Sequence, residues 1–352
     1  MTGSLNCFKK RLNRFRSEFK KGGVEGFVVE DPTDLYYFTG LRLSRGRLLI
    51  GPSSATLFVD GRYMENAKKE SPISVKELNE KELVNQLKKW GKVTHFGFDT
   101  SLTIAAHREL KKGFLKGKKH LKGFDFPTQK IRAIKDKEEL LLLKKSADLL
   151  WKGFLQIQKK LKVGITECEL AREFEFYVKN LGAEALSFEP IIAFGENSAL
   201  PHHHPGNRKL KKGDVVLVDI GVVLNQYASD MTRVLFFGDV PKRILEIYEV
   251  VRKAHKEAIK GCKPGVHVSE LDKIARKVMG KEEKYFIHAL GHGIGLDVHE
   301  YPRIGIKSKN IILEEGMVIT IEPGLYLPGI GGIRYEDMLV ITKTGCKNLF
   351  QE

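Results

Sequence analysis

"DVVLVDIGVVLNQYASDMTRVLFF", residues 214–237, decides how the second half of this chain is read. Its first part, "VVLVDIGVVL", is β-branched and apolar, as suits a buried strand. "ASDMTRVLFF" reads as the partner strand of a hairpin. Asn225 stands between them and tolerates the positive φ of a tight turn. With Leu224 and Asn225 at the turn, Asp219 falls directly opposite Asp230. Cross-strand partners lie about 4.5–5.5 Å apart at Cβ, so two carboxylates would face each other on one side of the sheet. Like charges that close repel, and one acid must hold a proton or a cation must sit between the two.

The device recurs in "MVITIEPGLYLPGIGGIRYEDMLVI", residues 317–341. Its turn is "PGIGG", and Glu322 and Glu336 are symmetric about position 329. A lone buried acid in a strand is ordinarily satisfied by a salt bridge or hydrogen bonds. Two matched pairs in two matched hairpins point to metal instead. Four converging carboxylates suit a dinuclear site, with cations about 3.5–4 Å apart.

Nitrogen donors are at hand in "YFIHALGHGIGLDVHEYPRI", which holds His288, His292 and His299. "HALGH" has the spacing of a helical zinc motif but carries Ala289 where that motif needs Glu. Gly291 and Gly293 also disfavour a helix. They suggest a strand or bend where the backbone approaches something closely. "ALPHHHPG" sets His202, His203 and His204 in a loop between two prolines. His255 and His267 stand without partners in the sequence and read as structural.

The chain has 352 residues, 42% of them hydrophobic, enough for about two domains with a sizeable core. No run of eighteen apolar residues marks a membrane span. Cys7, Cys168, Cys262 and Cys346 are scattered and form no CxxC pair, which fits a reducing cytoplasm. The net charge is +16, and residues 108–162 hold 17 Lys and Arg against 6 Asp and Glu. That stretch reads as a solvated basic face with snorkelling lysines, not as a nucleic-acid or membrane site. Near the N-terminus, Phe8, Leu12, Phe15 and Phe19 share one helical face. Gly22 and Gly23 end that helix and a strand follows at once, so it reads as a domain helix and not a targeting presequence.

Residues 1–125 alternate helix and strand and form an α/β domain. "FDFPTQKIRAI" is a linker. Residues 126–352 open with an amphipathic helix from Lys137 to Leu161. Helices and acidic hairpins are then segregated, so the class is α+β.

The series Asp219, Asp230, His292, Glu322, Glu336 resembles the metal-binding set of the pita-bread metallopeptidases, which include methionine aminopeptidases, aminopeptidase P and prolidase. The segments "VDIGVVLNQYASDMTR", "HALGHGIGLDVHEYP", "GMVITIEPGLY" and "GGIRYEDMLVIT" carry the likeness. With "DPTDLYYFTG" it extends over nearly the whole chain. The resemblance implies a C-terminal pita-bread domain behind a smaller creatinase N-terminal-like domain that caps the pocket and contributes to a homodimer. It implies two divalent ions, Mn²⁺ foremost, with Co²⁺, Zn²⁺ or Fe²⁺ as alternatives. Asp219 would chelate one ion, Asp230 and Glu336 would bridge, and His292 and Glu322 would bind the second. The nucleophile would be a hydroxide bridging the metals. Glu322 would also relay a proton, and His202 and His299 would act in catalysis. His288 would line the substrate pocket, and Arg334 would hold the proline end of a substrate. His203 and His204 depart from the Gly that many relatives have after the first His, a departure the loop is read as tolerating. The N-terminal domain sets the chain in the proline-specific branch, whose substrates are peptides or dipeptides with proline second. The aminopeptidase P type is the first expectation and Xaa-Pro dipeptidase, or prolidase, the alternative. A non-catalytic peptide- or nucleic-acid-binding module on the same fold would be betrayed by lost metal ligands, and none is lost.

Overall fold

A computed structural model describes residues 5–125, 127–308 and 310–350. The chain divides into two compact units, Met1–Arg132 and Ala133–Glu352. The boundary expected from sequence abuts Phe126, which lies outside the described residues.

The first unit is built on a six-stranded mixed sheet. Its strands run in the order Ser74–Glu77, Ala55–Val59, Gly46–Ile50, Gly26–Val29, His95–Asp99, His120–Phe124. Helix Leu5–Lys21 buries Phe8, Leu12, Phe15 and Phe19. The Phe15 ring lies 4.8 Å from that of Phe27 on the sheet. This basic amphipathic segment is therefore a packed domain helix. Strands Ser74–Glu77 and His120–Phe124 are the two edges of this sheet, and their burial is at most partial.

The second unit begins with helix Lys137–Lys160, started by a capping box of Asp136 and Glu139. Helix Glu167–Asn180 follows, then helices Lys242–Gly261 and Val268–Met279 further on. Strand Asp214–Ile220 lies between Ile191–Phe194 and Met231–Phe237. Val215 and Leu217 pack into one core cluster with Ile247, Val251 and Leu271 of the later helices. Val216, Val218 and Ile220 pack into another with Leu143, Leu150 and Phe174 of the earlier ones. Both faces of the sheet are covered, so residues 215–218 are a continuous apolar run instead of an alternating one. Each fully buried aliphatic or aromatic side chain of this kind contributes roughly 1.5–3 kcal/mol.

The first hairpin differs from expectation in register. Leu224 pairs with Tyr227, so the two-residue turn is Asn225 and Gln226, with φ of 50° and 69°. Positive φ at both central positions is the hairpin-compatible primed geometry. The turn lies one residue later than predicted, and Asp219 consequently faces Thr232, not Asp230. The register moves by two, an even step. Side chains alternate with period two, so Asp230 stays on the face of Asp219, displaced along it. In the second hairpin Ile321 pairs with Asp337 and Gly324 with Arg334. Glu322 and Glu336 are opposed as the symmetry about 329 requires, at the step between a five-stranded sheet and a two-stranded ribbon.

Candidate metal centre and active site

The acidic positions are locked together through their backbones. The Glu336 N–H donates to the Thr232 carbonyl at 3.2 Å, tying the strand of Glu336 to that of Asp230. Buried Arg233 strengthens this join, donating to the Glu336 carbonyl and to Asp337 Oδ1, both at 2.6 Å. The Glu322 N–H donates to the Leu290 carbonyl at 2.7 Å, beside the segment of His292. His292 itself sits in the short strand Gly291–Gly293. A Cβ on Gly291 would come within 2.0 Å of the Thr320 carbonyl oxygen, and one on Gly293 within 2.3 Å of the Tyr301 carbonyl oxygen. The glycines flanking His292 thus serve close backbone approach, as the sequence suggested.

The side chains converge. Asp230, His292 and Glu336 each offer a ligand atom, and these atoms lie within 4.8 Å of one another. His292 Nε2 is 3.5 Å from Asp230 Oδ2 and 3.6 Å from Glu322 Oε1. Its Nδ1 is held by the Gly293 carbonyl at 3.1 Å, which leaves Nε2 as the free lone pair facing the acids. Asp219 is turned to Arg334, whose Nη2 donates to Asp219 Oδ2.

Buried oxygens with no hydrogen-bond donor test whether a cation fits. Asp219 Oδ1, Asp230 Oδ1 and Glu336 Oε1 are such atoms. A buried carboxylate oxygen without a donor is costly, and a hard cation removes the cost. Electrostatics say the same. Burial, then the neighbouring Glu336, pushes Asp230 well above the ordinary carboxylate range. Burial and Glu336 do so for Glu322. Glu336 is pushed up to about 8, by burial and then by Asp219. Burial holds His292 down to about 4 and keeps it neutral, the form that ligates. An oxygen-rich set with one imidazole suits a hard or borderline divalent cation.

Residues 142–343 match the metallopeptidase family M24, and residues 11–134 match the Creatinase/Prolidase N-terminal domain. The chain belongs to metallopeptidase family M24. A curated Xaa-Pro dipeptidase of Pyrococcus furiosus is 35% identical over 97% of both chains. The prolidase of Pyrococcus horikoshii OT3 superposes with a TM-score of 0.89 at 35% identity, covering 97% of this chain and 98% of that one. An X-Pro aminopeptidase from Thermotoga maritima superposes with a TM-score of 0.87 at 30% identity, covering 96% and 98%.

Around the acids of this M24 site the remaining expected residues take distinct places. The His299 ring stands edge-on to that of His292, with centroids 4.4 Å apart. His288 Nδ1 is 3.9 Å from Glu322 Oε2, and burial lowers its pKa to about 3. Arg334 is buried, with Nη1 donating to the Tyr326 hydroxyl at 2.6 Å and reaching the Pro201 carbonyl at 3.4 Å. His202 follows Pro201 and is exposed. His255, expected to lack partners, is buried with Nε2 3.3 Å from Asp337 Oδ2 and its ring against Tyr335, which explains its structural place. His203 is not merely tolerated: it is bonded to buried Glu167.

Three contributors were missed. Thr232 donates to Glu336 Oε2 at 2.9 Å and accepts from Arg334 Nε at 3.1 Å. Tyr326 links Arg334 to His288, whose Nε2 lies 2.9 Å from its hydroxyl. Thr320 accepts the His292 N–H at 3.1 Å. Thr232 was within reach of sequence reasoning, because it shares a strand face with Asp230. Thr320, two residues before Glu322 along its strand, was within reach on the same ground.

Proposed function

We propose that this M24 metallopeptidase is an Xaa-Pro dipeptidase, cutting the bond before proline in dipeptides. The observation that carries this reading is the end-to-end match with curated Xaa-Pro dipeptidases of two Pyrococcus species, at 35% and 36% identity. It favours the Xaa-Pro dipeptidase over the aminopeptidase P type expected first. The likeness to the Thermotoga maritima X-Pro aminopeptidase keeps that second reading for the experiment below.

Asp219, Asp230, His292, Glu322 and Glu336 would hold two divalent cations, Mn²⁺ being the one a carboxylate-rich set suits. When bound, they would supply Lewis acidity and a water of lowered pKa. The chain's own residues do the rest. Glu322, beside His292 and His288, takes the proton of the attacking water and passes it to the departing proline nitrogen, which has no N–H of its own. His299 donates a hydrogen bond to the oxygen that becomes negative as the carbonyl turns tetrahedral. His202 and His288 line the substrate, and Arg334 fixes its proline end, with Tyr326 and Thr232 fixing Arg334.

Turnover of Ala-Pro, Ala-Pro-Ala and longer Ala-Pro peptides by Mn²⁺-loaded protein tests this. Cleavage of Ala-Pro with a rate that falls steeply with length is the expected result. Cleavage of the longer peptides with Ala-Pro untouched would restore the aminopeptidase reading. Release of Met from Met-Ala peptides alone would place the chain in another branch of the family.

A further inference from the structure

The loop that carries His202 is tied to a buried carboxylate on the other side of the chain trace. Glu167 stands in the first turn of helix Glu167–Asn180, after the Thr166 N-cap, and is 0% exposed. An acid there is favoured by the helix dipole, but such acids ordinarily face water. This one faces the loop. Oε1 accepts the Phe194 N–H at 2.8 Å and Asn197 Nδ2 at 2.9 Å. Oε2 accepts His203 Nε2 at 2.9 Å and the Gly206 N–H at 3.0 Å. Four donors meet the four lone-pair sites of one carboxylate, so it is fully satisfied and holds no place for a ligand.

These four donors bracket His202. Two lie before it, at 194 and 197, and two after it, at 203 and 206. Further bonds seat the far limb: the Cys168 N–H donates to the Gly206 carbonyl at 3.0 Å, and Cys168 Sγ to the Pro205 carbonyl at 2.8 Å. On its near limb the loop is held by the ribbon of Arg334, where the Gly332 N–H donates to Ser198 Oγ at 2.7 Å and Arg334 reaches the Pro201 carbonyl. His202 is left exposed between two clamped limbs.

We propose that Glu167 and His203 are positioning residues for His202: the buried carboxylate sets the loop, and the His203 side chain fastens the residue directly after His202 to it. This rests on the reading of the chain as a peptidase in which His202 touches the substrate. It also gives His203, one of the two departures from the family's pattern, a physical role. His204, exposed and paired with exposed Glu189 at 3.0 Å, has no comparable one.

Glu167→Gln keeps the volume but offers one oxygen and one amide group. Whichever way it turns, amide hydrogens face two of the four donors, and half of the bracket opens. His203→Ala removes one donor without disturbing the other three. His203→Gln keeps an N–H at similar reach.

The test uses full-length Mn²⁺-loaded protein, Ala-Pro turnover, metal content and amide hydrogen exchange over residues 194–208. Glu167→Gln and His203→Ala should lower kcat/KM on the order of 10- to 100-fold with metal content unchanged, because a displaced group near the chemistry is that costly. His203→Gln should restore most of the loss. In a His202→Ala background, both substitutions should cost less than about twofold more, since coupled residues are not additive. Exchange at 203–206 should quicken in Glu167→Gln and His203→Ala, with the sheets unchanged. Additive losses in the His202→Ala background, unchanged exchange, or His203→Gln as damaging as His203→Ala would each overturn the proposal. Should Glu167→Gln fail to fold, the His203 variants decide alone. Wild-type protein that leaves Ala-Pro intact would sink the functional reading, while the exchange measurement would still judge whether Glu167 and His203 hold the loop.

Discussion

Arg334 and Asp219 form an ion pair that is almost wholly shut from water, the side chains being 4% and 10% exposed. Asp219 Oδ2 is taken by the guanidinium while Oδ1 has no donor. One carboxylate thus faces a fixed cation on one side and the cluster of acids on the other. Arg334 offsets part of the negative charge that four converging carboxylates would otherwise impose on the metal-free chain.

Arg334→Met should therefore destabilise the metal-free protein strongly. Removing one partner of a buried pair costs about 3–5 kcal/mol, because the other charge is left uncompensated. Calorimetry should show a lowered Tm without metal and a large part of it regained with Mn²⁺, which supplies charge to the same acids. A variant whose Tm matches wild type without metal would contradict this account of the pair.

The raised carboxylate pKa values set a pH trend for the metal-free protein. An acid whose folded pKa lies above its unfolded one stabilises the fold below the unfolded pKa, and that contribution is lost as pH rises through the folded value. For Glu336 the window runs from the ordinary 4.5 to about 8. Stability without metal should fall across that window, and saturating Mn²⁺ should flatten the slope. Denaturant unfolding at several pH values, with and without chelator, measures both.

Asp230→Asn should lower metal content and abolish turnover while leaving the metal-free fold intact. The acid is held well above its ordinary pKa by burial and by Glu336, so its removal relieves repulsion. Metal analysis and circular dichroism together test this. Full metal loading in the variant would remove Asp230 from the ligand set.

His299→Ala should cut kcat by about 10²–10³, the loss typical of one transition-state donor, with metal content kept. Its ring lies edge-on against that of His292, whose Nδ1 is held by the Gly293 carbonyl, so the ligand should stay in place. Loss of metal in this variant would show that His299 supports the site and does not act on the substrate.

In the first unit Asp34 is buried, paired with Arg132 at 2.8 Å and hydrogen-bonded by Thr128 Oγ1 at 2.5 Å. Arg132→Met should cost about 3–5 kcal/mol by stranding that carboxylate, whereas replacing both partners, as Asp34→Leu with Arg132→Met, should cost less. A double-mutant cycle by urea unfolding checks the sign of the coupling.

Local chemistry was legible in the linear chain. Asn225 marked a turn because few residues accept its φ of 50°, and helix Lys137–Lys160 stands where its apolar spacing placed it. The period of two carried Asp219 and Asp230 to one face even though the turn came a residue late, since an even slip in register leaves faces unchanged. The symmetry of Glu322 and Glu336 about 329 was equally readable. What the chain could not announce were contacts between residues far apart along it. Glu167 meets His203 and Gly206, Arg334 meets Asp219, and Arg233 fastens the strand of Glu336. No periodicity encodes such pairs, because each depends on how helices and sheets pack. The sequence determined which groups share a face, and the tertiary structure decided which buried charge each of them meets.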